Sequence, residues 1–256
     1  MNYGLQLFSV RDAAENDYEK TLKQVAEMGY SMVEPAGFFG HSAPEVKAMT
    51  ERYGLTVCST HTPQHVLFDD FESTVAYHKE IGCSDIIIPW GDVYTDEALD
   101  DFVGKINHYL PLLKKEGITL HYHNHSAELL PNRDGKLGWF ELMERTEIMF
   151  QVDTFWVYNA GLDPVEFIEK YKDRITTVHL KDGIKADNSN YKYPDNPHAA
   201  TVRKALGEGN APVAAIRKKA IELGFRMVVE SEGLDPTGLE EVKRCIDYLH
   251  SLDSLD

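Results

Sequence analysis

The 256-residue sequence has no long hydrophobic run, few cysteines and less positive than negative charge. No apolar stretch approaches the ~20 residues that a membrane span requires, and the first residues lack the charged-then-apolar pattern of a signal peptide. Cys58, Cys83 and Cys245 are scattered without CxxC spacing, which favours a reducing compartment. These absences predict a cytoplasmic protein that does not bind a membrane.

The excess of negative charge indicates which kinds of partner the protein can bind. Lys and Arg number 26 against 42 Asp and Glu, a formal net charge of −16. Nucleic-acid surfaces are built from clustered Lys and Arg. The composition therefore predicts no nucleic-acid partner.

Strand-like segments alternate with longer amphipathic segments along the whole chain, as in proteins built from βα units. The predicted strands cover residues 3–10, 31–34, 56–61, 85–89, 118–125, 147–153, 175–180 and 226–230. The predicted helices cover residues 18–28, 43–53, 71–81, 96–116, 139–145, 164–172, 211–223 and 239–252. No linker divides them, so residues 1–256 are predicted to form a single (β/α)8 TIM barrel, a fold of typically ~250 residues. A doubly wound open sheet is the alternative, but no GxGxxG motif follows the first strand.

Polar side chains fall on the predicted inward face of several strands. In a barrel, alternate residues of each strand face the interior, and in residues 118–125 these are His121, His123 and His125. The same alternation turns inward Gln151, Asp153, His179, Lys181, Glu230 and Glu232. Active sites of barrels lie at the carboxyl ends of the strands, and buried charges need a partner or a metal.

Carboxylate and imidazole donors together suit Mn²⁺, Zn²⁺, Co²⁺ or Fe²⁺. We expect one such ion, with Mn²⁺ as first choice, bound by His123, Asp153, His179 and Glu230.

Each predicted ligand has an alternative. Asp153 could instead cap a helix, and His179 could be a buried histidine bonded to the backbone. Glu232 could bind the metal in place of Glu230. His125 or Glu128 could bind it in place of His123 on the fifth strand.

Residues at the rim are candidates for substrate contacts. The polar candidates are Gln6, Glu34 and His61, and the aromatic ones, which could stack on a sugar or simply pack, are Trp90, Phe155 and Trp156. The aperiodic polar segment 183–198 is predicted to be a lid over the site.

Several blocks resemble the sugar phosphate isomerase/epimerase superfamily of xylose isomerase-like TIM barrels. They include residues 4–11 (GLQLFSVR), 122–125 (YHNH) with Glu128, 152–153 (VD), 160–164 (AGLDP), 178–182 (VHLKD), 207–209 (GEG) and 229–230 (VE). Many members hold a metal with Glu, Asp, His and Glu from strands five to eight, and Asp153, His179 and Glu230 match the last three. The fifth strand departs from this pattern with His-Asn-His, which moves the likeness towards the inosose dehydratase-like branch.

The resemblance implies proton removal from a carbon next to a carbonyl of a sugar or polyol substrate, with a metal-stabilised enediolate. Glu230, His125 or Glu128 could act as the base, and Lys181 could donate to the oxyanion. Isomerisation or epimerisation is the expected outcome, and dehydration or elimination on a keto-inositol or keto-glycoside is the alternative. A non-catalytic sugar-binding subunit is a further alternative, and the exposed pair Phe38-Phe39 suggests a homo-oligomer.

Overall fold

The structure, a computed structural model, describes residues 1–255. Its main sheet contains β1 (Gly4–Gln6), β2 (Met32–Glu34), β3 (Thr56–Val57), β4 (Thr60–His61), β5 (Asp85–Ile88), β6 (Thr119–His123), β7 (Met149–Asp153), β8 (Ile175–Leu180) and β11 (Arg226–Val229). The strand order is β3-β2-β1-β11-β8-β7-β6-β5-β4, and every pair of neighbours is parallel. A small antiparallel sheet pairs β9 (Asp182–Ile184) with β10 (Val202–Lys204).

The two edge strands of the main sheet belong to one stretch of chain. β3 pairs with β2 and β4 pairs with β5, so residues 56–61 join both edges of the sheet. The predicted TIM barrel is confirmed. The prediction of one unbroken strand over 56–61 was wrong at Cys58 and Ser59, because the chain there passes from one neighbouring strand to the other.

Helices surround the barrel and cover its outer face. They are α1 (Arg11–Ala14), α2 (Tyr18–Glu27), α3 (Ala43–Arg52), α4 (Gln64–Asp69), α5 (Phe71–Glu80), α6 (Asp96–Lys115), α7 (Gly138–Arg145), α8 (Thr154–Asn159), α9 (Pro164–Lys170), α10 (Val213–Leu223) and α11 (Gly238–Asp253). Each predicted helix begins and ends within two residues of its observed counterpart. The apolar residues of the strands pack outward against them, as Phe150 does against Trp139 with ring centroids 3.9 Å apart.

Further segments differ from the sequence prediction. The first strand ends at Gln6 and a 3-10 turn, Leu7–Val10, follows, because the Gln6 side chain accepts the backbone N–H of Phe8. Helices α1, α4 and α8 were not predicted. The segment 183–198 was predicted to be irregular, yet it begins in β9, which pairs with β10 a few residues beyond its end.

The composition predicted no membrane-spanning segment and no disulfide framework. Across residues 1–255, no helix has the length and apolar character needed to cross a membrane. The three cysteines are free and buried.

Asp182 holds the chain after β10 against the end of β8. Its carboxylate accepts backbone N–H groups from Gly183, Gly207, Gly209 and Ala211, at 2.7 to 3.1 Å. A Cβ atom on Gly209 would lie 2.1 Å from Asp182 Oδ1. The glycine is therefore required by a close approach of backbone to carboxylate.

Replacing Gly209 by alanine is expected to destabilise the protein by about 1–3 kcal/mol, the usual cost of overpacking a tight site. The free energy of unfolding in denaturant measures this. Gly104→Ala is the matched control, since a Cβ there would meet no atom within 4 Å in α6, and helix propensity should make it stabilising by about 0.5–1 kcal/mol. Equal effects of the two substitutions would contradict the prediction.

Candidate metal centre and active site

Four side chains that could bind a metal converge at the carboxyl ends of neighbouring strands. His123 ends β6, Asp153 ends β7, His179 lies in β8 beside Asp153, and Glu230 follows β11. Their donor atoms all lie within 4.8 Å of one another, and all four side chains are buried. The structure thus brings together the four residues expected from the sequence. His61 also lies in reach of His123 and His179.

Asp153 both caps a helix and offers a free oxygen to the cluster. Its Oδ1 accepts the backbone N–H of Trp156 at 3.0 Å and caps α8. Its Oδ2 is buried and accepts no hydrogen bond from residues 1–255, and Lys181 Nζ lies 3.8 Å away. Burial raises the pKa of Asp153 to about 7, against the opposing effect of Lys181. Such a buried oxygen without a donor fits a metal ligand.

His179 bridges two carboxylates. Its Nε2 lies 2.7 Å from Glu34 Oε1, and its Nδ1 lies 2.9 Å from Glu230 Oε2. Burial favours the neutral ring, but Glu34 and Glu230 outweigh it and raise the pKa of His179 to about 10. Neither contact is to the backbone, so the alternative of a histidine bonded only to the backbone is wrong. Metal-ligating histidines commonly donate their second N–H to a carboxylate, as Nε2 would to Glu34.

Glu34 is the centre of a hydrogen-bond network beneath the cluster. Besides His179, its carboxylate accepts from Gln6 Nε2 at 2.8 Å, Gln151 Nε2 at 2.6 Å and the Ser59 hydroxyl. Burial opposes its ionisation, but the imidazoles of His61 and His179 lower the pKa of Glu34 to about 2. Glu34 therefore carries a buried negative charge with every oxygen bonded.

This network also sets the tautomer of His123. Because the Gln151 amide nitrogen donates to Glu34, the Gln151 oxygen must accept from His123 Nδ1 at 3.0 Å and from His61 Nε2 at 2.8 Å. Burial lowers the pKa of His123 well below its ordinary value. His123 is thus a neutral imidazole whose Nε2 lone pair is available for a metal.

Lys181 lies behind the carboxylates and not in the cavity lining. Its Nζ is 2.5 Å from Glu232, 3.4 Å from Glu230 and 4.9 Å from the Trp156 ring centroid. Burial disfavours its charge, but Glu230 and Glu232 raise the pKa of Lys181 above its ordinary value. Burial alone would raise the pKa of Glu230, but Lys181 and His179 outweigh this effect and hold that pKa well below its usual range. Glu232 lies outside the four-residue cluster.

Glu128 positions other groups and does not face the cavity. Its Oε2 accepts the backbone N–H of His125 at 2.8 Å, and its Oε1 accepts from Tyr122 Oη at 2.7 Å. That hydroxyl accepts the Gly91 N–H at 3.0 Å. Glu128, one of the three candidate bases, thus uses both of its oxygens to join the loop of Trp90 to that of His125.

A cavity of about 550 Å³ opens over the cluster. Its polar lining consists of His61, Thr62, His123, His125, Glu230 and Glu232, and the rest of its wall is largely apolar. Of the expected substrate contacts, His61 and Trp90 line it. Gln6, Glu34 and Trp156 are at most 1% exposed and do not reach it. These three side chains are directed elsewhere, because Gln6 and Glu34 bond to each other and Trp156 packs under Lys181.

The predicted lid contributes a residue that the sequence interpretation did not single out. The ring of His198 lies 4.4 Å from Trp156 and 5.7 Å from His125. Asn159 of α8 anchors this segment by donating to Pro197 O at 3.0 Å. A histidine in a polar segment carries no periodic signal, so only the fold shows this contact.

This combination of a closed parallel barrel and a polar cluster at the carboxyl ends of its strands defines the class of TIM-barrel proteins with a site at that face. The chain belongs to the xylose isomerase-like TIM barrel family, whose model matches residues 22–252.

Individual relatives are more distant. An inosose dehydratase from Geobacillus kaustophilus is 26% identical over 191 residues, which are 64% of this chain and 61% of the relative. An inosose dehydratase from Bacillus cereus is 20% identical over 192 residues, 66% of this chain and 64% of the relative. The matched region thus spans less than two thirds of these curated relatives.

Solved structures share the fold over nearly the whole chain. A sugar phosphate isomerase/epimerase from Parabacteroides distasonis superposes with a TM-score of 0.81 at 24% identity, covering 97% of this chain and 98% of the other. A probable 3-DHS dehydratase from Bacillus anthracis has a TM-score of 0.73 at 15% identity, covering 98% and 99%.

Proposed function

We propose that the protein is a divalent-metal-dependent enzyme that removes a proton from a carbon next to a carbonyl in a sugar or polyol. The observation that carries this proposal is the convergence of His123, Asp153, His179 and Glu230 within 4.8 Å under a cavity that His123 and Glu230 line. Mixed nitrogen and oxygen donors fit Mn²⁺ first, or Zn²⁺, Co²⁺ or Fe²⁺. Membership of the xylose isomerase-like TIM barrel family and the likeness to inosose dehydratases support it.

The ion would supply Lewis-acid stabilisation of the negative charge that develops on oxygen when the proton leaves. The chain's own residues do the rest. Glu34 holds His179, and through Gln151 it holds His123, so the donors are oriented before substrate enters. Lys181 keeps Glu230 ionised within a buried site.

The proton would pass to a group in the cavity wall. His125 and Glu230 both line the cavity, whereas Glu128 lies behind it. Burial lowers the pKa of His125 to about 3, with Lys181 adding to the effect, so its ring is neutral and has a free lone pair but is a weak base. Glu230 is ionised but would have to accept the proton while bound to the metal, so both residues stay candidates for the base.

Isomerisation or epimerisation follows if the proton is returned to carbon. Dehydration of a cyclic keto-polyol or elimination from a keto-glycoside is the second candidate, and two observations favour it. The proposed ligand from β6 is a histidine, whereas the family resemblance implies a glutamate there in the isomerases. The curated relatives include inosose dehydratases. Product stereochemistry, read by NMR after incubation with keto-sugars, inososes and 3-keto-glycosides, decides between these outcomes.

Removing divalent metal with a chelator is expected to abolish turnover and to lower the melting temperature. Metal at 100 times its dissociation constant stabilises a protein by about 2.7 kcal/mol, and about 5–10 °C follows for a chain of this size. Added Mn²⁺ should restore both properties. Metal analysis and calorimetry measure them, and purified protein without bound metal whose melting is unchanged by Mn²⁺ would support the non-catalytic alternative.

A further inference from the structure

Large apolar side chains are exposed together on one wall of the cavity. Phe8, Val66 and Trp90 are 40%, 42% and 51% exposed, and all three line the space above the four donors. Phe38 and Pro63 continue the same wall. A contiguous apolar surface beside a polar site is characteristic of a ligand-binding surface.

Two aromatic rings of this wall contact neighbours that do not line the cavity. The Arg11 guanidinium lies 4.2 Å from the Phe8 ring centroid, and the Phe38 ring lies 4.3 Å from that of Tyr77. The backbone next to Trp90 is fixed by the Gly91 N–H, which donates to the Tyr122 hydroxyl. Two of the three rings are therefore in contact with neighbours before a ligand binds, which limits the affinity lost to ordering of the protein.

The charges around the cavity do not suit a phosphate. Glu230 and Glu232 line it, and the described lining residues include no Lys or Arg. Lys181 is already paired with both glutamates, and Arg203 lies 3.3 Å from Glu232. The two positive charges of a bound divalent ion would be offset by the carboxylates of Asp153 and Glu230, which leaves no excess positive charge for a phosphate. Phosphate recognition needs cationic or backbone N–H donors directed at its oxygens.

We propose that the substrate is an unphosphorylated sugar or cyclic polyol that carries an uncharged apolar group, as an aryl glycoside does. Its ring oxygens would face the four donors, and the apolar group would lie against Phe8, Phe38 and Trp90. The orientation of the ring rests on the proposed function. A volume of about 550 Å³ falls within the range of roughly 300–1,000 Å³ that holds ligands of drug size.

Equilibrium binding of matched ligands, followed by ligand-observed NMR, tests this. Phenyl β-D-glucopyranoside is expected to bind the metal-loaded protein about tenfold more tightly than methyl β-D-glucopyranoside, since the phenyl ring leaves water for an apolar wall. D-Glucose 6-phosphate is expected to bind no more tightly than D-glucose. Trp90→Ala should reduce the phenyl preference by about three- to tenfold.

Tyr94→Ala is the matched control, because Tyr94 is 41% exposed in the same loop but does not line the cavity. Equal binding of the two glycosides, no detectable binding of the phenyl glycoside, a preference unchanged in Trp90→Ala, or tighter binding of the phosphate would each overturn the inference. These outcomes are separable from the proposed function, which fails if the protein binds no divalent metal. A phenyl preference in metal-free protein would support the apolar site alone.

Discussion

Replacing Asp153 by asparagine is expected to lower the affinity for divalent metal by more than about 100-fold and to abolish turnover. Loss of a ligand should exceed the roughly 10–100-fold cost of losing a residue that only orients one. Asparagine is as good a helix cap as aspartate, so the contact of residue 153 with the Trp156 N–H can persist. The loss of affinity should therefore occur with little loss of fold. Competition with a chromogenic chelator measures the affinity, and thermal unfolding measures the stability.

Two further variants make this result interpretable. Asp153→Ala removes both the ligand and the cap, so it should add about 1 kcal/mol of destabilisation to the same loss of metal. Asp163→Asn is the matched control, because Asp163 caps α9 on the surface, through Val165 and Glu166, away from the cluster. If Asp153→Asn bound metal as tightly as the Asp163→Asn control does, the assignment of the metal centre would fail.

Replacing Glu34 by glutamine is expected to lower metal affinity about 10–100-fold, although Glu34 belongs to no metal cluster in the described chain. A glutamine amide can donate to His179 Nε2 and so favour the tautomer with its proton on Nδ1, the nitrogen that faces Glu230. The substitution also removes one partner of a buried charged pair, which typically costs about 3–5 kcal/mol. Metal competition and denaturant unfolding measure the two effects separately.

The control for Glu34 is Ser59→Ala. It removes one neutral donor to the same carboxylate but keeps the negative charge that orients His179. We expect a destabilisation of about 0.5–1.5 kcal/mol and an unchanged metal affinity. A Glu34→Gln protein with wild-type metal affinity would show that His179 does not depend on this carboxylate.

The cluster of four donor residues shows how much of the site the residue patterns predict. Period-two alternation placed His123, Asp153, His179 and Glu230 inside the barrel, and the rule that barrel sites lie at strand ends placed them at one face. For Asp153, ligand and helix cap were treated as competing alternatives. In the structure one oxygen caps helix α8 and the other is left free to bind a metal, so the two roles do not exclude each other.

The alternation of residues along the strands does not predict the roles of the other polar residues. Glu34 and Gln151 are separated by 117 positions, and nothing local to either shows that they share a hydrogen bond. Glu128 follows the histidines of β6 closely, so a catalytic role was a reasonable prediction. Its side chain instead bonds Tyr122 and His125, a direction set by the 3-10 turn Ala127–Leu129.

The sequence by itself determined the barrel, the limits of eight of its helices and the inward set of donors, because these follow from short-range periodicity in hydrophobicity and from chain order. Tertiary structure alone decided which carboxylates lie behind the donors and that an apolar wall faces them. Those relations depend on closure of the sheet through residues 56–61 and on side-chain directions within loops. Both are products of long-range packing, which no local pattern encodes.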